Sequence, residues 1–152
     1  AASDVYKRQL NSEITIRTYP TRLTEENAQE IISQYDIVVD GCDNFSTRYL
    51  INDICAEMGK VYVYGAICGF EGQVSVFHYG EEKKSYRDLY PDEEEMRRMP
   101  PPSKGVMGIT PAVTGSIEAT EVLKIICSFG EVLSGKLWTI DLRTLQSNKF
   151  SL

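Results

Sequence analysis

The sequence carries a single histidine, His78, and its four cysteines (Cys42, Cys55, Cys68 and Cys127) form no Cys-x-x-Cys pair. A structural zinc site needs closely grouped nitrogen and sulfur ligands, so no zinc is expected. Positive charge is also scarce. Sixteen Lys and Arg stand against 22 Asp and Glu, and the formal net charge of −6 argues against a nucleic-acid partner. No apolar run reaches the roughly 18 residues that cross a bilayer, so no membrane partner is expected. No charged segment leads into an apolar stretch near residue 1, so no secretory signal is read. Singly scattered thiols suit a cytoplasmic protein. Gly-x-Gly-x-x-Gly is missing too, which disfavours a dinucleotide-dependent oxidoreductase. What is present, 42% hydrophobic and 25% charged residues in 152, suits one domain with a real core.

The first nine residues, AASDVYKRQ, stand apart. Asp4–Gln9 resembles the translation of a transposon-adapter sequence, so 1–9 is expected to be adapter-derived and 10–152 a single domain. Setting Lys7, Arg8 and Asp4 aside leaves the chain acidic, and the conclusion about partners stands.

Glu13–Tyr19 (EITIRTY) alternates and is rich in β-branched residues, which predicts a strand. Thr24 followed by Glu25, Glu26 and Asn27 predicts a helix start, with the helix running to about Gln34. Asp36–Asp40 (DIVVD) reads as a short buried parallel strand. Asn44–Met58 then reads as a helix closed by Gly59. Val61–Ile67 is a second buried strand, and Gln73–Tyr79 alternates like an antiparallel one. The succession implies an α/β fold in which parallel strands with helices are followed by antiparallel strands. Gly80–Lys104 is charged and holds Pro100–Pro102, so a long mobile loop is expected there. Ile109–Ser128 reads as a helix whose apolar face is Ile117, Val122, Leu123, Ile125 and Ile126. Lys136–Asp141 and Leu145–Leu152 read as a strand pair.

Asp40–Asn52 (DGCDNFSTRYLIN) is the most informative stretch. A buried strand delivers Asp40 and then Cys42-Asp43-Asn44 at its C-terminal end, where open parallel sheets bind ligands. An acid there can hold Mg²⁺ beside a nucleotide triphosphate. Arg48 follows Asn44 by one helical turn and can face the same crevice. A second reading has better odds on these residues alone: Asp-Asn after a strand is most often a turn that caps the next helix.

The blocks DGCDNFSTRYLIN, GKVYVYGA, GFEGQVSVF, GVMGITPAVTG, EATEVLK and GEVLSGKL are similar in order and spacing to the ThiF/MoeB/HesA adenylyltransferases, bacterial relatives of ubiquitin-activating enzymes. The resemblance runs from about Leu10 to Leu152. It implies the C-terminal part of a Rossmann-like fold and an ATP- and Mg²⁺-dependent adenylation. The substrate would be the C-terminal Gly-Gly carboxylate of a ubiquitin-like sulfur-carrier protein, in thiamine, molybdopterin or related sulfur-transfer metabolism. It also implies a homodimer, to which the helix Ile109–Ser128 could contribute. Asp43 matches the family's magnesium-associated aspartate, with Asn44 beside it. Arg48 matches the arginine of the same block, and a salt bridge anchoring the helix is an equal reading of it. Leu23 falls near where the family packs adenine. Gly65, Ala66, Gly69, Phe70, Gly72 and Gln73 fall on the stretch bordering the channel for the carrier's tail, where simple close strand packing competes as the reason for small residues.

Three departures matter. The family's Gly-rich phosphate loop, acidic ribose ligand and upstream Arg and Lys have no counterpart, so the chain alone is expected to be inactive. Asp88 stands where many members carry a zinc cysteine, in Tyr86-Arg87-Asp88-Leu89. No cysteine lies in Met99–Gly108, where sulfur-transferring relatives carry one; Ser103 there reads as an ordinary loop residue. Cys68, beside the tail stretch, is the one cysteine open to a functional reading, with packing the competing one. A non-catalytic carrier-binding or dimerisation module of the same fold is the alternative.

Overall fold

The computed structural model describes residues 9–99 and 105–152. Their elements run α1 (Glu25–Ile32), β1 (Ile37–Val39), α2 (Phe45–Met58), β2 (Val61–Cys68), β3 (Glu71–Phe77), α3 (Tyr86–Leu89), α4 (Glu93–Arg98), α5 (Ile109–Cys127), β4 (Lys136–Asp141) and β5 (Gln146–Ser151). The strands form one mixed sheet in the order β1-β2-β3-β4-β5. β1 and β2 are parallel, with Ile37 opposite Val61 and Val39 opposite Val63. The remaining pairs are antiparallel. The expected α/β fold is therefore present, with its parallel pair joined through α2.

Strand alternation sends opposite faces of the sheet to different layers. Tyr62, Tyr64 and Phe77 pack in one cluster with Ala28, Ile32, Tyr49, Ile51 and Cys55 of α1 and α2. Val63, Val74 and Val76 pack in another with Ile117, Val122 and Ile125 of α5. α2 begins where the Asn44 side chain accepts from the Thr47 amide at 2.9 Å. It ends at Gly59, whose φ of 63° lies in the left-handed region that glycine tolerates. These two signals frame the helix as its sequence predicts.

Three expectations need correcting. Residues 13–19 form no strand. β1 pairs with β2 alone and its outer edge stays open, yet among the described residues 13–19 make no ladder with it. They are tied instead to the segment just after α1 by Arg17 and Tyr19, which both donate to the Gln34 side-chain oxygen. Second, α3 and α4 occupy much of the stretch expected to be irregular. The Tyr86 ring is fully buried, 5.0 Å from Tyr49 and 5.2 Å from both Tyr64 and Tyr90. Each such aromatic pair adds roughly 0.5–1.5 kcal/mol beyond area burial, enough to draw a charged segment onto the core. The Asn52 side-chain oxygen secures it, accepting from the Tyr86 amide at 2.9 Å and the Ser85 hydroxyl at 3.2 Å, with His78 Nε2 at 3.0 Å. Pro100–Pro102, Ser103 and Lys104 lie outside the described residues. Third, α5 turns Leu123 and Ile126 outward, 52% and 66% exposed, and buries Thr110, Thr114, Glu118 and Glu121 instead.

Candidate functional site

The C-terminal end of β1 feeds a short turn, 40–44, that opens α2. Asp40 is buried and fully engaged. One carboxylate oxygen accepts from the Cys42 amide at 2.7 Å, and the other from Arg48 Nε at 2.8 Å and the Tyr62 hydroxyl at 3.0 Å. Arg48, 8% exposed, also donates to the Cys42 carbonyl and, at 3.4 Å, to that of Gly65 on β2. The turn is thus held from beneath by a guanidinium whose fork suits several oxygens at once. Burial alone would weaken Arg48's hold on its proton. Asp40 more than offsets this, and the guanidinium binds its proton more tightly than usual. Burial, then the Asp40 carboxylate, pushes the Cys42 thiol up to about 12, so it stays protonated.

Asp43, in the turn that this clamp holds, is exposed. One of its oxygens accepts from the Asn44 side-chain amide at 3.1 Å. Asn44 therefore does two things: its oxygen caps α2 and its amide orients Asp43. Arg48 is brought to the same turn, but below it, in the anchoring position that its sequence equally allowed. Leu23 lines a cleft of about 620 Å³ with Arg22, Thr24, Ser46, Thr47 and Tyr49, which reaches the first turn of α2; Asp43 is not among the lining residues.

The glycine-rich stretch divides by face. A Cβ added at Gly65 would overlap the Glu118 carboxyl group, and one at Gly72 would overlap the Thr114 hydroxyl. These two positions let α5 lie close on the sheet, which is the packing reason for a missing side chain. On the opposite face Ala66 pairs with Gln73, and the Gln73 amide donates to the Tyr64 hydroxyl at 2.9 Å and the Tyr90 hydroxyl at 3.0 Å. Gly69, with φ of 58°, makes the β2–β3 turn, Phe70 beside it is 40% exposed, and the Gly69 carbonyl accepts from Thr110. Cys68 is exposed at the end of β2. Asp88 accepts from the Ser85 amide at 2.7 Å and so caps α3.

Sequence reasoning missed Glu118. It is 7% exposed, one of its oxygens has no hydrogen-bond partner, and Thr114 nearby has an unpartnered hydroxyl as well. Burial first, then Asp40, raises its carboxyl to about 7, opposed by Arg48. The signal was available: Thr110, Thr114 and Glu118 recur every four residues and mark a polar stripe along one helix face.

The profile of the ThiF family matches residues 2–152. A probable molybdopterin-synthase adenylyltransferase of Pyropia yezoensis is 45% identical over 145 residues, covering 94% of this chain and 38% of the relative. A sulfur carrier protein adenylyltransferase of Thermus thermophilus is 46% identical over 143 residues, covering 87% and 51%. The chain thus spans about half or less of these relatives. Among solved structures, Escherichia coli MccB with ATP superposes with a TM-score of 0.76 at 20% identity, over 99% of this chain and 47% of that one. At that identity the likeness speaks for the fold.

Proposed function

Given that the chain belongs to the ThiF family, we propose that it forms the part of an ATP-dependent adenylyltransferase that receives metal-bound triphosphate and the tail of a ubiquitin-like sulfur carrier. In the proposed reaction the carrier's C-terminal Gly-Gly carboxylate attacks the α-phosphate of ATP, giving an acyl-adenylate and releasing pyrophosphate. The pathway is that of thiamine, molybdopterin or related sulfur transfer. The relatives' names, molybdopterin-synthase and sulfur carrier protein adenylyltransferase, support the carrier as substrate.

The observation that carries this reading is the exposed Asp43 carboxylate in the turn that follows the parallel strand β1, a turn held by Asp40 and Arg48. Mg²⁺ fits such a donor: it keeps several waters and takes one or two carboxylates plus phosphate oxygens. When bound it would neutralise charge on the triphosphate. The chain's own residues supply position. Asn44 orients Asp43, Arg48 fixes the turn, and Ala66 and Gln73 border the path proposed for the tail. Leu23 is proposed for adenine, no zinc is proposed, and the second protomer of a homodimer is a further proposal.

The test is pyrophosphate exchange by the longer protein carrying this segment. Asp43→Ala should lower carrier-dependent exchange by roughly 10²-fold, the scale of losing one group that stabilises transition-state charge. The 152-residue chain alone, without a Gly-rich phosphate loop, should give no appreciable exchange. Undiminished exchange by the Asp43→Ala protein would remove the basis of this reading.

A further inference from the structure

The Glu118 carboxyl lies in the space that Gly65 leaves on one face of β2. The Gly65 carbonyl, in the plane of the same strand, accepts from Arg48, which reaches it from the other layer. Arg48 in turn holds Asp40 and the Cys42 carbonyl. A continuous chain of contacts therefore runs from α5 through β2 to the turn that bears Asp43. We propose that Glu118 is a positioning residue for this turn: its carboxyl group fixes the Gly65 segment and thereby the seat of the Arg48 guanidinium.

This inference rests on the reading of Asp43 as the functional carboxylate, but its physical core does not. A polar group buried to this degree with an unpaired oxygen is costly, more so if charged. Its neighbourhood holds two carboxylates, Glu118 and Asp40, and one guanidinium, already bound to Asp40 at 2.8 Å. From the elements packed against Glu118, the charged groups acting on it are Asp40 and Arg48. On its own helix, Glu121 is taken up by Lys124 and the Leu133 amide. Uncharged, Glu118 leaves the Asp40–Arg48 pair undisturbed. Ionised, it competes with Asp40 for Arg48 and draws the guanidinium towards the sheet, slackening the turn.

The experiment follows the Arg48 Nε–H resonance in the ¹⁵N-labelled chain from roughly pH 5.5 to roughly pH 8.5, bracketing the Glu118 ionisation. The wild type should show a titration centred near 7; Glu118→Gln, which keeps the shape and removes the charge, should show none. A flat wild-type trace, or an unchanged titration in Glu118→Gln, overturns the proposal. Two further variants test the contact itself. Gly65→Ala should lower the melting temperature, and adding Glu118→Ala should recover most of the loss; no recovery counts against it. In the longer protein, Glu118→Gln should remove a limb near neutrality from the pH profile of exchange, while Asp43→Ala should lower exchange at every pH and leave the Arg48 titration in place. If Asp43→Ala were harmless and Arg48 still titrated with Glu118, the metal reading would fall and the positioning role would survive.

Discussion

Arg48→Met separates an anchoring arginine from a nucleotide-contacting one. Methionine can follow the same path through the core but removes the ion pair to Asp40 and the bonds to the Cys42 and Gly65 carbonyls. Asp40, 6% exposed, would keep only the Cys42 amide and the Tyr62 hydroxyl. Removing one partner from a buried pair strands the other charge and costs about 3–5 kcal/mol. That is a large fraction of the roughly 5–15 kcal/mol by which domains are stable, and for a chain of this size it lowers the melting temperature by about 10 °C. Urea unfolding followed by circular dichroism measures it without nucleotide. The companion variant Arg48→Met/Asp40→Asn should recover part of the loss, because it also removes the stranded charge. A cost below about 1 kcal/mol for Arg48→Met would refute the clamp, since an arginine held in reserve for a ligand contributes little to the unliganded fold.

Two more outcomes follow. Glu118 should make stability fall as pH rises: its folded-state value near 7 lies above the usual 4.5, so the folded protein holds the proton more tightly. The contribution is whole below 4.5, is lost on the way to 7, and amounts to about 3 kcal/mol at most; unfolding free energies of the wild type and Glu118→Gln across that window should converge at the acid end. Tyr86→Phe should leave urea stability unchanged or raise it by up to about 1 kcal/mol, because the deleted hydroxyl is buried without a partner; a loss above about 1 kcal/mol would refute that reasoning.

Helices and strands with complete local signals were legible. Asn44 and Gly59 punctuate α2 because cap chemistry is a property of neighbouring residues; the apolar run DIVVD does give the parallel strand β1, but at the sheet edge and with Val39 48% exposed, not buried as expected. The strand reading of 13–19 failed because a strand exists only through its partner, and propensity does not supply one. Triple proline breaks only the end of that stretch; before it, Ser85-x-x-Asp88 is a capping box, and Glu93–Arg97 with Glu94–Arg98 are ion pairs at helical spacing. Among the site residues, Asp43 and Asn44 were readable from their place after a strand. Arg48 was readable as a residue but not as a role, since the choice between solvent and Asp40 depends on burial. Glu118 stayed hidden because what matters is the glycine opposite it, 53 positions earlier in the chain.

A β-sheet normally works as a partition: its side chains stack outward from both faces and keep the charges of one layer away from the other. At Gly65 the partition has a window, and the electrostatics of the back helix pass through it to the front rim. Surface-neutral evolution of α5 is therefore not neutral at that stripe. Changes at 118 would retune the turn that bears Asp43, and they would do so without altering any residue of that turn.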